Sequence, residues 1–383
     1  MKYLITDLNI TLNGHKFGFV NNLLKYVEIH RTTDEFIFLV NRSDEFQLES
    51  SAGHIQVITL SEEEQKEINQ QASLIRKSET EWKCIEKYAT IYAVQRVILM
   101  ELDLYQVEIG KRKSVFSISG IWFRPYSRMQ AEGNSLKQKI QFLKNKFQKK
   151  ILLHWALRNT GLDRVFILND EQMPFWLNGK KPRFFTLPDP YFDYPLLADF
   201  DLRKQYNIPE NNLILLQFGY MDERKNNENI LAALNQIAPE MAKMISLLVI
   251  GKFETGYEEK IKQLKNGPYQ LITRNAFISD EEMESTFSQS DVILRMNINF
   301  FGSSGVVGIA ARHDKPVVVS DSGVMAELVE KYQLGDIINP YDLQAIQKVI
   351  QKYLKQESRL KIDGSRYRDT HDLRAFAENL LLP

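Results

Sequence analysis

Four apolar runs between Leu213 and Gly323 constrain the fold of this chain most. They are Leu213-Ile-Leu-Leu-Gln-Phe-Gly219, Leu247-Leu-Val-Ile-Gly251, Val292-Ile-Leu-Arg-Met296 and Pro316-Val-Val-Val-Ser-Asp-Ser-Gly323. Three of them end in glycine or serine turns, and the segments between carry helical spacing, as in Ile230, Leu231, Leu234 and Ile237. Short continuous apolar runs alternating with helical segments predict strand-helix units in a parallel sheet buried on both faces. Ligands of such sheets lie outside the carboxyl ends of the strands, where Arg224, Lys225, the Gly302-Ser303-Ser304-Gly305 turn and Glu327 fall. A phosphate-containing ligand is therefore expected.

The first half repeats the theme with shorter strands. Lys2 to Thr6, Glu35 to Asn41, His54 to Leu60, Ser114 to Ser119 and Arg164 to Leu168 read as strands, and Phe19 to His30 as a helix. Ser61 to Tyr105 is polar and reads as one or two long helices, with Glu62, Glu63 and Glu64 suiting a helix amino terminus. Leu187-Pro-Asp-Pro-Tyr-Phe-Asp-Tyr-Pro195 carries prolines that neither a helix nor a central strand accepts, which places a linker over 188–200. The fold class is thus α/β, with two doubly wound Rossmann-like domains, 1–187 and 201–367. The closing helix, within 368–383, is expected to pack back on the first. Ser279 and Glu282 suggest a capping box.

At 383 residues the chain is long enough for two domains, and 49 basic against 49 acidic residues argue against a general nucleic-acid binder. A single cysteine, Cys84, permits no internal disulfide and fits a reducing compartment. The amino terminus, broken by Asp7 and Asn9, reads as neither a signal peptide nor a membrane span, so the cytoplasm is expected.

Two such domains facing each other across a cleft resemble the GT-B fold, and the second half is similar to the nucleotide-binding domain of family 4 glycosyltransferases. The resemblance is carried by Phe218-Gly-Tyr-Met-Asp-Glu-Arg224-Lys225, by Gly251 after its strand, by Ser290-Asp291-Val292, and by Lys315-Pro316 with Ser322-Gly323 and Glu327. Asn13-Gly14-His15 resembles the family's first glycine-rich loop. The resemblance implies a metal-independent, retaining transfer from a nucleotide diphosphate sugar, with no further cofactor. The acceptor would be a carbohydrate or lipid-linked glycan, as in polysaccharide biosynthesis. The family's paired glutamates are absent: Phe300 to Lys315 holds no glutamate and one acid, Asp314. Asn299 and the Ser303-Ser304 turn stand in their place. A nucleotide-sugar epimerase and a non-catalytic partner or glycan-binding subunit are the alternatives.

Cleaving a sugar-diphosphate bond builds negative charge on the leaving phosphate, which fixed cations and N–H donors must meet. Arg224 offers a planar fork and Lys225 a point charge. The catalytic set is expected to be Arg224, Lys225, Asn299 and His15. Donor contacts are expected at Gly14, Gly219, Gly251, Gly302, Ser303, Ser304, Gly305 and Glu327. Gly302 to Gly305 reads as an anion-binding helix entry or as a plain N-cap, and Glu327 as a ribose contact or a solvated first-turn acid.

In Ser119-Gly-Ile-Trp-Phe-Arg124-Pro-Tyr126, acceptor contacts are expected at Ser119, Arg124 and Tyr126, with Arg128 a further anion holder. Trp122 and Phe123 read equally as core. His154 is expected to be interior. Asp199-Phe-Asp201 reads as helix amino-terminal acids, not a metal pair. Lys137 to Lys150 interleaves Ile140, Phe142, Leu143 and Phe147 with lysines; it is a helix packed on the sheet or one lying on the inner face of an anionic membrane.

Overall fold

The computed structural model describes residues 1–11, 16–111, 113–123, 125–128, 136–355 and 362–382, with backbone alone for 136–138. The chain divides into two compact units, Met1–Pro188 with Leu373–Pro383, and Asp189–Asp372.

In the first unit, β1 (Lys2–Asp7), β2 (Glu35–Val40), β3 (Ile55–Thr59), β4 (Arg96–Leu99), β5 (Ser117–Ile121), β6 (Leu162–Leu168) and β7 (Phe184–Leu187) form one parallel sheet. Its order is β3-β2-β1-β4-β5-β6-β7. β4 corrects the reading of Ser61 to Tyr105 as helical throughout: the helices Glu62–Asn69 and Leu74–Ile91 are followed by a buried central strand. β5 also begins three residues later than expected. The helix Leu373–Leu380 belongs to this unit, where Phe376 stacks on Phe19 at 5.4 Å.

The second unit holds β8 (Leu213–Phe218), β9 (Ile245–Gly251), β10 (Gln270–Asn275), β11 (Val292–Arg295), β12 (Val317–Ser320) and β13 (Gly335–Ile338), all parallel, ordered β10-β9-β8-β11-β12-β13. β8 shows why its sequence is continuously apolar. Leu213 and Leu215 enter the core on one face of the sheet, and Ile214 and Leu216 enter the core on the other. Each buried side chain of this kind stabilises by roughly 1.5 to 3 kcal/mol.

In both sheets the strand order changes sense once, between β1 and β4 and between β8 and β11. A crevice opens at such a switch point, outside the carboxyl ends of the strands. Residues 189–200 belong to the second unit and are bonded within it: Tyr191 N–H donates to the His371 carbonyl (3.2 Å), Arg312 donates to the Phe192 and Tyr194 carbonyls, and Leu197 N–H donates to Ser285 Oγ (2.7 Å). Asp201 caps the helix Leu202–Gln205 by accepting from Lys204 N–H, which accounts for the second acid of the Asp-Phe-Asp pattern. Cys84 is buried, and burial pushes its thiol up to about 11.

Candidate functional site

The turn after β8 is held by backbone geometry that few residues tolerate. Gly219 has φ +112° and donates to the Ile250 carbonyl at 3.0 Å, while Gly251 at the end of β9 has φ +138°. A Cβ on Gly251 would land on the carbonyl oxygen of Gly219, so only glycine lets the two strand ends approach. Beyond them Asp222 accepts from Arg224 N–H (3.0 Å) and caps the short 3-10 turn Glu223–Lys225. Asn226, at φ +62°, closes that turn by donating to the Pro340 carbonyl (2.7 Å).

This frame presents two cations differently. Arg224 is 58% exposed and forks onto Asp222 Oδ2 at 2.9 and 2.6 Å. Lys225 is buried, its backbone carbonyl accepting from Gln217 Nε2 (2.9 Å), and its ammonium has no hydrogen-bond or ion-pair partner among the described residues. The ammonium lies 3.8 Å from where a Cβ on Gly219 would stand. Burial, then the charge of Arg295, pushes Lys225 well below the ordinary lysine range.

Arg295 is the residue that sequence reasoning missed. It closes β11 beside β8, across the switch point from the Lys225 turn. The residue is partly exposed as a whole, yet its Nε is sealed from solvent without a partner, and one terminal nitrogen makes a long 3.4 Å bond to the Phe218 carbonyl. Burial, then the Arg224 charge, pushes the guanidinium down to about 10. Among the described residues Asp222 is the one acid that counteracts these cations, and Arg224 already holds it. The signal was a single arginine in an otherwise apolar run.

The other expected donor residues gather on neighbouring turns. Asn299 is exposed, at φ +54°, next to Ile298, whose N–H donates to the Arg224 carbonyl (2.9 Å). Gly323, at φ +84°, abuts Phe301, whose carbonyl accepts from Val324 N–H (3.0 Å), and this ties the 300–305 turn to the helix Val324–Tyr332 that carries Glu327. Glu327 sits half-buried in the first turn of that helix. Ser304 is buried ahead of the helix Gly305–Arg312 and makes no side-chain cap, contrary to a plain N-cap reading. Ser303 departs from its expected role: its hydroxyl donates to Asp189 Oδ2 at 2.7 Å, so that proton is not offered to a phosphate. Gly302 has only the far end of the Phe300 ring near the position of a Cβ, at 3.7 Å.

The acceptor-side expectations fare differently. Ser119 is wholly enclosed within β5 and has no surface to offer an acceptor. Tyr126 is buried against Trp122 (centroids 6.0 Å apart), which makes Trp122 core. Arg128 is committed to a bidentate pair with buried Asp170, both bonds at 2.7 Å, and so does not wait for an anionic ligand. His154 is exposed, not interior, because the helix Leu136–Ala156 is largely bare on the side it occupies. Gly14, His15 and Arg124 lie outside the described residues. Among the described residues no group of three or more His, Cys, Asp or Glu is placed to hold a metal ion, and no helix is long and apolar enough to cross a membrane.

Residues 199–368 match the family model described as glycosyl transferases group 1. Over that stretch the chain is similar to the glycosyltransferases of group 1. The match spans nearly the whole second unit, including Arg224, Lys225 and Arg295. The architecture agrees with solved GT-B structures over both units. Sucrose-phosphate synthase from Thermosynechococcus elongatus matches with a TM-score of 0.71 at 17% identity, covering 99% of this chain and 96% of that one. A trehalose-6-phosphate protein from E. coli bound with UDP-2-fluoro glucose matches at 0.69 and 14% identity, covering 100% and 98%. Anabaena HepE, in complex with UDP and glucose, matches at 0.66 and 16% identity, covering 99% and 97%. No curated protein matches by sequence. The fold is GT-B, and the group 1 domain places the chain in the glycosyltransferase class of enzymes.

Proposed function

We propose that the protein moves a sugar from a nucleoside diphosphate to a hydroxyl of a carbohydrate or lipid-linked glycan, with 201–367 holding the donor and 1–187 facing the acceptor. The observation that carries this reading is the cluster of Arg224, Lys225 and Arg295 at the β8/β11 switch point, with one carboxylate between them. Uncompensated buried charge is costly, so such a cluster is stable chiefly as a site for an anion. Structures of the same fold hold UDP or a UDP sugar, which supports a nucleotide donor.

In the reaction the bond from the sugar's anomeric carbon to the diphosphate oxygen breaks and the acceptor oxygen bonds to that carbon. Its proton passes to the departing phosphate. Arg224 and Lys225 meet the charge that builds on the leaving oxygen. With the family's glutamates absent and no protein nucleophile required, we read the outcome as retention, with Asn299 against the sugar and Glu327 accepting from the ribose hydroxyls. The reading calls for no metal. A non-catalytic binding subunit has no need of a preformed diphosphate site. Calorimetric titration with UDP, GDP, CDP and ADP, with and without magnesium, is expected to give micromolar binding of one of them, indifferent to the metal. No binding of any near millimolar concentration would sink the reading.

The acceptor is read as membrane-borne. In the helix Leu136–Ala156 the side chains of Ile140, Leu143, Phe147 and Ile151 stand open to solvent, Phe147 at 63%, among Lys139, Lys144 and Lys150. An apolar row flanked by lysines suits an anionic lipid surface. Sedimentation with phosphatidylglycerol vesicles is expected to carry the wild type down. Phe147→Glu should weaken this about tenfold or more, given the cost of inserting a charge; equal sedimentation of both would refute the contact.

A further inference from the structure

A buried strand end has no structural need of a charge, yet β11 ends in one. Val292, Ile293 and Leu294 are buried and apolar, and Arg295 follows them toward the switch point. Among the described residues no carboxylate pairs with Arg295. Its N–H groups find one long acceptor, the Phe218 carbonyl at 3.4 Å, and Nε finds none. An enclosed guanidinium Nε with nothing to bond destabilises the fold, and a side chain such as methionine would fill the same place without that penalty.

The surroundings carry the same unmet demand. Lys225 is buried as a residue, and among the described residues its ammonium has no hydrogen-bond or ion-pair partner. Three cations against Asp222 leave a formal surplus of two positive charges (3 − 1 = 2), set on two segments, the Glu223–Lys225 turn and the end of β11, which the backbone ties together through Ile298 N–H and the Arg224 carbonyl. A diphosphate bridging a nucleoside and a sugar carries about two negative charges, and its two phosphoryl groups can engage a fork and a point charge at once.

We propose that Arg295 is a third cation of the phosphate site and the residue that makes it select a diphosphate over a monophosphate. This rests on the donor-site reading above. A lone phosphoryl group is held by the cations of the Lys225 turn alone; when there are two, the terminal one stays on that turn and the other engages the fork of Arg295 from the neighbouring strand.

The test compares wild type, Arg295→Met and Arg295→Lys by calorimetry and thermal melting. The probes are the nucleoside diphosphate found in the titration panel, its monophosphate and inorganic pyrophosphate. Arg295→Met is expected to melt at or above the wild-type temperature without ligand. It should bind the diphosphate and pyrophosphate about 30-fold or more weakly, within the range for charge-assisted bonds, and the monophosphate within about threefold of wild type. Arg295→Lys, which keeps the charge without the fork, should fall between. A lowered melting temperature with an unchanged diphosphate-to-monophosphate ratio would make Arg295 structural and overturn the inference. If Arg295→Met does not fold, the ratio in Arg295→Lys decides: a fall of about fivefold supports the inference and no change overturns it. If the wild type binds the diphosphate, Arg224→Ala with Lys225→Ala loses it and Arg295→Met keeps it, this inference falls while the donor reading stands. No diphosphate binding by the wild type takes both down.

Discussion

The double variant Arg224→Ala, Lys225→Ala is expected to lose about 2 to 4 kcal/mol of nucleoside-diphosphate affinity and to remain folded. Each cation makes a charge-assisted contact of about 1.5 to 3 kcal/mol, and neighbours that share one ligand add less than fully. Folding survives for two different reasons. Arg224 is largely exposed and, among the described residues, paired only with Asp222, two residues away. Lys225 is buried, but removing an unpartnered charge offsets much of the cavity that its aliphatic stem leaves behind.

Proton linkage gives this prediction a second readout. Burial holds the empty-site Lys225 well below 10.5. An arriving anion raises that value, so binding takes up a proton wherever the pH lies between the empty and occupied values, and affinity falls as pH rises through that window. The empty fold behaves oppositely: between the lowered folded value and 10.5 the unfolded chain binds more protons, so this lysine's contribution to stability rises with pH. Titrations in buffers of different ionisation enthalpy should show proton uptake for the wild type and less for the double variant. An unchanged affinity in a folded double variant would remove the cluster from the donor site.

The strands that were legible in the sequence are those buried on both faces, because only there does every position have to be apolar. β8, β9, β11 and β12 were found for that reason. β10 and β13 were not: they are the edge strands of their sheet, and Gln270, Thr273, Arg274 and Asp336 are tolerated where one side is open. β4 is central but only four residues long. It begins with Arg96, which reads as polar and is buried by donating to the Leu382 carbonyl and Asp163. That partner lies 286 residues away, and no local pattern announces it. The capping box at Ser279 is half present for the same kind of reason. Ser279 accepts from Glu282 N–H, but the Glu282 carboxylate is taken by Arg274 on the adjoining strand.

The site was legible to the extent that backbone geometry writes itself as glycine. Gly219, Gly251 and Gly323 could be read; the use of each polar side chain depended on partners brought in by the fold. Ser303 is claimed by Asp189 and Arg128 by Asp170. Asp314, the one acid in the segment that lacks the expected glutamates, accepts from Gly364 N–H (2.9 Å) and from Arg368 (2.7 Å). Asp314 therefore holds the chain beyond 363 in place and does not substitute for either glutamate. With no free acid on that turn, the balance at the switch point shifts further toward positive charge, which favours a site organised around the leaving diphosphate.

Gly251→Ala is expected to be the most damaging single methyl group in this region, at about 3 to 5 kcal/mol of stability. The added carbon meets the Gly219 carbonyl, a backbone atom that cannot swing aside, and the residue must also keep φ +138°, which side chains strongly disfavour. Relief requires the end of β8 to move. Gly219 lies beside the Lys225 ammonium, so diphosphate affinity should fall together with stability. Gly256→Ala isolates the conformational part of this cost. Gly256 also has positive φ, +79°, but nothing lies within 4 Å of its added Cβ, so it should cost about 1 kcal/mol and leave binding unchanged. Denaturant unfolding of the two variants side by side decides the matter. Equal stability would mean that the two strand ends do not need their close approach, and that the turn carrying Arg224 and Lys225 is held by something other than this glycine pair.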